Sequence, residues 1–416
     1  MPQDLGDGLI ARSAEPSDVP RILTLLESVH GKEVVRFAER LFKLHPTFTP
    51  QDSFVVVDTT RDSTAVSYLC LVPLTLVLDG TEIPTAQMEL VATLPAYRHR
   101  GLIRALNHLF ELRAAELGLQ LFVIAGIEYF YRRFDYEYAV PLQGTLAIPT
   151  ESVPELKKGE SDVVRIERVT QRNFSEYLQC REKRDSYLNL YRKVTLEDCA
   201  FLLAGTLGEE VGMEFYMVKR ESVPVGIFNL SVAWNRLEVR ELWTDKVDYL
   251  APVLRFVRDI ARKRGLPLHV GPPSKDALVP YLERVSGSRY SRPYAWYVKI
   301  PSIGGFLKLI GRVLEKRIED SDLICLTENL KISWYWEGVE LVFADGKLKG
   351  VKDIPRVELA EPDLRLPPVV INQLLMGYRT LDELARIYPD VAAKASKVPV
   401  VNVLFPRMKA NLMPEV

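Results

Sequence analysis

The residues best suited to chemistry lie in positions 88–109, MELVATLPAYRHRGLIRALNHL. Arg98, His99, Arg100 and Arg104 gather around Gly101, between an apolar run and a helical pattern. The first turn of a helix has N–H groups without intrahelical partners, and the helix dipole adds partial positive charge there. A glycine at that point lets a ligand come close to the backbone, so the composition suits a phosphate or pyrophosphate. The same residues also fit an ordinary strand–loop–helix connection with solvated arginines, because one basic glycine loop is a weak signal by itself. A second group is Tyr131, within LFVIAGIEYFYRRFDYEY at 121–138. Its phenol is protonated at neutral pH and can donate a proton. The competing reading makes Tyr129, Phe130, Tyr131, Phe134, Tyr136 and Tyr138 one aromatic core wall.

These residues need elements to hold them. Residues 88–94 are predicted as a strand, and Leu102, Ala105, Leu106 and Leu109 mark one face of a helix opened by Gly101. Upstream, Val19, Ile22, Leu26 and Val29 predict a helix with Ser17 in the capping position. A second helix is expected over 32–44, a strand over 54–58, and one or two strands over 66–78. Asp79-Gly80 is a hairpin signal. His30 and His45 fall at helix ends and read as caps or surface. His99 reads as an anion contact and His108 as surface.

Downstream, IPTESVPELKKGES at 148–161 reads as a linker. Strands are expected over 215–219, 225–232, 237–242 and 267–270, with a helix over 251–264 ended by Gly265. Ser231 and His269 lie in this stretch without a spacing that argues for nucleophilic catalysis. PSIGG at 301–305 reads as a second boundary. Strands over 322–326, 330–336 and 339–343 follow, with a hairpin at Asp345-Gly346. Helices are predicted over 367–376 and 380–388, the latter with Thr380 and Glu383 in a capping-box pattern. The division is 1–148, 149–300 and 301–416.

Composition narrows the function classes. At 416 residues two or three domains are expected. With 47% hydrophobic and 26% charged residues the chain has the make-up of a soluble globular protein. A net charge of −1 argues against nucleic acid or an anionic membrane as partner, leaving the basic cluster for a small anion. Cys70, Cys180, Cys199 and Cys325 show no disulfide or metal spacing, which suits a reducing cytoplasm. The first residues carry no secretory pattern, no run reaches the length of a membrane span, and no metal cluster is expected.

Arg98-x-x-Gly101 directly after a strand resembles motif A of the GNAT acetyltransferases, which cradles the pyrophosphate of acetyl-CoA. Residues 121–138 resemble the motif B strand and the FYxRFGY segment that follows it. RGLIRAL resembles the RGLLRAL of the enhanced-intracellular-survival (Eis) branch, with Ile103 where motif A has a second small residue. The resemblance implies an α/β (α+β) chain. Two tandem GNAT folds, the second degenerate and lacking an Arg-x-x-Gly turn, precede a sterol-carrier-protein-like α+β domain, which GYRTLDEL and VLFP resemble. It implies that Val91, Ala92 and Thr93 pair with the pantetheine arm. Arg98, His99, Arg100, Gly101, Leu102, Ile103 and Arg104 would hold the pyrophosphate, with Gly126 and Ile127 also bordering the cofactor.

Tyr131 takes the position of the general acid. The resemblance implies that the α-carboxylate of Val416, threaded back into the first domain, is the base, with Glu89 as the alternative. The implied activity is N-acetyl transfer from acetyl-CoA to a primary amine, on an aminoglycoside-like polyamine or a lysine side chain, by a cytoplasmic homohexamer without a metal. Two alternatives stay open: a non-catalytic acyl-CoA or lipid-binding protein using an apolar cavity of the last domain, and a peptide or protein acetyltransferase.

Overall fold

The computed structural model describes residues 2–209, 212–271, 278–291, 293–335, 337–355 and 361–413. The first part of the chain forms β1 (Gln3–Asp4), β2 (Leu9–Ser13), α1 (Val19–His30), α2 (Lys32–Leu44), β3 (Ser53–Asp58) and β4 (Thr64–Leu78). It continues with β5 (Thr81–Thr93), α3 (Leu102–Glu116), β6 (Leu121–Ile124) and β7 (Glu137–Pro141). β1 to β5 form an antiparallel meander, and β6 joins parallel to β5. β4 is one continuous strand. The β4–β5 hairpin turns at Asp79 (φ 44°) and Gly80 (φ 85°), where two positive φ values match the right-handed strand twist.

The sheet buries both faces. Val55, Tyr68, Cys70, Leu90 and Ala92 pack toward α1 and α2. Phe54, Leu69, Leu71, Met88, Leu106 and Phe110 pack on the α3 side. Ser17 does not cap α1. A 3-10 turn over Pro16–Asp18 comes first, and the Asp18 carboxylate accepts the Glu15 N–H at 2.8 Å and pairs with Arg12 at 2.6 Å. His45 ends α2 but is no surface residue, being 8% exposed with its ring 4.8 Å from Phe201.

The middle of the chain forms β8 (Leu146–Ile148), β9 (Arg165–Arg168), α4 (Phe174–Asp185), β10 (Leu190–Arg192) and α5 (Cys199–Leu203). Then come β11 (Glu214–Arg220), β12 (Val223–Ala233), β13 (Arg236–Thr244), α6 (Leu250–Arg264), β14 (Leu268–Val270), α7 (Leu278–Ser286) and β15 (Ala295–Lys299). A second sheet has the order β8-β14-β13-β12-β11-β9, with β13 and β14 parallel as β5 and β6 are. Two strands cross over between the sheets. β15 leaves the second part and inserts between β6 and β7 of the first sheet, while β8, just after β7, pairs with β14 of the second. β10 adds to the end of β4.

The last part contains α8 (Ile303–Leu309), α9 (Gly311–Glu319), β16 (Asn329–Ser333), β17 (Glu337–Ala344), β18 (Lys347–Pro355) and β19 (Leu364–Arg365). It ends with α10 (Ile371–Leu375), α11 (Leu381–Ile387), β20 (Ala392–Ala393), α12 (Val398–Leu404) and β21 (Ala410–Asn411). Its sheet, β18-β17-β16-β19-β20, shares one apolar core with Leu76, Leu78, Leu121, Val123, Trp296 and Val298 of the first. PSIGG is not a loose boundary, because Ser302 caps α8 by accepting the Gly305 N–H at 3.1 Å. Residues 322–326 form a turn rather than a strand. The Leu326 N–H bonds back to the Leu323 carbonyl at 2.9 Å, and Leu323 and Leu326 pack on the core from that turn. The predicted helix at 367–376 is confined to α10. Among the described residues no helix is long and apolar enough to cross a membrane.

Candidate active site

β5 changes direction where the site begins. Its register against β4 steps from Cys70↔Glu89 to Tyr68↔Ala92, so Leu90 and Val91 together face Leu69. Leu90 has φ 56°, which marks a β-bulge. On the opposite edge, β5 pairs with β6 only at Thr85↔Leu121, Ala86↔Phe122 and Gln87↔Val123. Beyond Gln87 the two strands part. The edge of β5 that carries Val91, Ala92 and Thr93 is thereby left to a cleft where an extended ligand can add as a further strand. From the β4 side, the Ser67 hydroxyl steadies the strand, donating to the Ala92 carbonyl (3.1 Å) and lying 2.8 Å from Thr93 Oγ1. His30 Nε2, at the end of α1, lies 3.1 Å from the Val91 carbonyl oxygen. The expectation of a cap or surface residue at His30 misses this contact, since helix and strand meet only in three dimensions.

The turn after β5 opens α3 as an anion site requires. His99 (φ 62°) and Gly101 (φ 77°) are both left-handed, and Gly101 caps α3 without a side chain. A Cβ at Gly101 would meet nothing within 4 Å, so the backbone conformation, not space, calls for glycine. Arg98, His99 and Arg104 are exposed. Arg100 is exposed as well, pairing with Asp7 at 2.6 Å and lying over the Tyr97 ring. Tyr97 donates to Asp58 Oδ2 at 2.7 Å, which pins the turn onto β3. Leu102 is buried and Ile103 packs against the α3-side core, so both side chains point inward and can offer a ligand only their backbone.

Tyr131 sits in a 3-10 turn, Phe130–Phe134, held between left-handed Tyr129 and Asp135. It is 5% exposed and its ring lies against Gly126: a Cβ there would fall 2.1 Å from Tyr131 Cε2. Phe130, Tyr297 and Tyr136 surround the ring at 5.0, 5.5 and 6.2 Å between centroids. The aromatic wall and the acid candidate are therefore the same structure. Burial above all, then the charge of Glu89 and the neighbouring Tyr297, pushes the Tyr131 phenol up, so it keeps its proton at neutral pH. Glu89 is half-buried and accepts from Gln87 Nε2 at 2.7 Å.

Two further tyrosines that no sequence motif marks, Tyr297 on β15 and Tyr294 just before it, border this loop. Tyr297 Oη is 2.6 Å from Tyr138 Oη and 3.3 Å from the Ile127 carbonyl. Tyr294 Oη is 2.7 Å from Tyr138 Oη and 3.1 Å from the Gly126 carbonyl. These phenols fix the loop after β6 against which Tyr131 rests. Ile127 itself is 70% exposed.

The end of the chain is drawn inside. β21 pairs parallel with β10, and Met413 joins the apolar cluster that contains Leu90 and Ala92. Val416 lies outside the described residues. Ser231, Glu238 and His269 are direct neighbours across β12, β13 and β14, but the carboxylate stands between the other two and is held by Arg236 and Arg240. That order is not the one nucleophilic catalysis needs. Among the described residues no group of His, Cys, Asp and Glu is arranged to hold a metal.

Residues 11–139 match the sequence model of the acetyltransferase (GNAT) domain. No curated protein is matched by sequence. Among solved structures, the chain is similar to a GCN5-related N-acetyltransferase from Anabaena variabilis (16% identity, TM-score 0.69, 97% of this chain and 98% of that one). It is likewise similar to a probable N-acyltransferase from Enterococcus faecalis (16%, 0.70, 96% and 98%) and to Eis1 from Mycobacterium abscessus (14%, 0.62, 97% and 99%). At these identities the likeness is one of fold, and it runs through all three parts of the chain.

Proposed function

We propose that this chain, an acyltransferase with a GNAT domain at 11–139, moves an acetyl group from acetyl-CoA to a primary amine. The observation that carries the reading is Tyr131, buried and protonated beside the point where β5 and β6 part. In this reading the pantetheine arm adds to the open edge at Val91 to Thr93, and a backbone N–H at the Leu90 bulge polarises the thioester carbonyl. The first turn of α3, with Arg98 and Arg104, meets the pyrophosphate. The neutral amine attacks the carbonyl carbon, a C–N bond forms and the C–S bond breaks. The departing thiolate takes the Tyr131 proton, while the nitrogen gives its proton to a carboxylate. The Val416 carboxylate is the proposed base and Glu89 the alternative. A polyamine of the aminoglycoside kind or a lysine side chain is the proposed acceptor.

The lipid-binding alternative finds less support. The cleft of about 1100 Å³ in the last part is lined by Asp363, Arg365, Asp390 and Lys394 as well as by prolines, which is a poor lining for a lipid tail.

Thiol release from acetyl-CoA, measured against aminoglycosides, polyamines and lysine peptides, tests the reading. Turnover with one class, reduced about 10²-fold or more in Tyr131→Phe, is the expected result. Turnover lost on removing residues 414–416 supports the tail-borne base, and turnover kept moves that role to Glu89. Acetyl-CoA binding without turnover on any amine would sink the proposal.

A further inference from the structure

The bulge of the first sheet recurs in the second. The β12–β13 register steps from Asn229↔Arg240 to Ile227↔Trp243, so Glu241 and Leu242 together face Phe228. Glu241 has φ 52° and stands in β13 where Leu90 (φ 56°) stands in β5. A fully buried carboxylate on a left-handed backbone is costly unless its charge is answered. Glu241 accepts from Arg181 Nη1 at 3.0 and 3.1 Å, from Arg184 Nη1 at 2.7 Å and from Asn229 Nδ2 at 2.7 Å. Asp185 pairs with the same two arginines, Arg184 at 2.6 Å and Arg181 at 3.5 Å.

What this cluster grips is the end of the chain. Arg181 Nη2 donates to the Met413 carbonyl at 2.7 Å, out of contact with solvent. Asn411 Nδ2 lies 3.5 Å from Glu241 Oε1, and its own Oδ1 accepts the Met413 N–H at 3.1 Å. One step earlier, Asn189 exchanges two hydrogen bonds of 2.9 Å with Lys409. The chain is thus held by a buried ion cluster as far as residue 413.

We infer that Arg181, Arg184 and Glu241 form a clamp that positions the segment 409–413. The bulge that opens a ligand edge in the first sheet has, in the second, become the anchor of the tail. With Met413 fixed beside Leu90 and Ala92, a base carried on the chain beyond it would start from one defined point. The catalytic consequence rests on the proposed tail-borne base, and the anchoring itself does not.

The test uses the full-length chain with Glu241→Gln, which keeps the volume and removes the charge, and Asn411→Ala as a milder second variant should the first fail to fold. Residue release by carboxypeptidase and the separate values of kcat and KM are measured. The expected result is release at least tenfold faster, with kcat reduced at least tenfold and KM for acetyl-CoA unchanged. Folded variants with native release and native kcat would overturn the clamp. Faster release together with full activity in a chain lacking residues 414–416 would uphold the clamp and remove the tail-borne base.

Discussion

The proposed acid, Tyr131, depends on what lies under it. Gly126 gives the ring its seat, and a Cβ at that position would meet Tyr131 Cε2 at 2.1 Å. Gly126→Ala is therefore expected to tilt the phenol and lower kcat by about 10²-fold, read by thiol release, because reacting groups tolerate little displacement. The motif singles out the phenol, but its contact with Tyr297 was not legible, since nothing in 121–138 announces a strand arriving from 295–299. His45 gives a second prediction at this scale. Burial first, then the positive charge of Arg192, depresses the imidazole from 6.5 to about 3, so it is neutral in the folded chain and takes up a proton below pH 6.5 on unfolding. Its contribution is complete above pH 6.5 and is lost as pH falls toward 3, at about 1.4 kcal/mol per pH unit. His45→Phe should shrink the stability difference between pH 7.5 and 4.5 by about 2–3 kcal/mol in denaturant titrations. An unchanged difference would mean that other groups set the acid limit.

Elements with local turn chemistry were readable from sequence. Asp79-Gly80, Asp345-Gly346, Gly101 and the Thr380–Glu383 box all specify their own geometry within four residues, and each appears in the structure. The bulges at Leu90 and Glu241 could not be read. Neither residue favours a positive φ, and the conformation is imposed by the neighbouring strands. The apolar run at 322–326 misled for the opposite reason: a turn buries Leu323 and Leu326 as well as a strand would. Gly101→Ala isolates the contribution of one local turn. The added methyl meets no atom, so the effect is conformational, about 1–2 kcal/mol of strain at φ 77°. The expected outcome is a several-fold rise in KM for acetyl-CoA with a normal far-UV spectrum; an unchanged KM would detach this turn from cofactor binding.

At the scale of the whole molecule, the composition of 416 residues foretold several cores but not how they are joined. β15 and β8 each complete the sheet of the other part, and pairings 120 or more residues apart leave no trace in local periodicity. Residues 1–148 expressed alone should therefore be insoluble, because β6 would show an unpaired LFVI edge beside Leu76, Leu78 and Val140. A soluble monomer of that fragment in gel filtration would refute the dependence. The same strand exchange sets a clock on the nascent chain. Some 170 residues separate β6 from the strand that covers it, and at about 5–20 residues per second the ribosome needs roughly 10–30 s to supply it. During that interval a sticky edge stands bare in a crowded cell, so the yield of active protein should depend on chaperone supply and elongation rate more than on the stability of the finished fold.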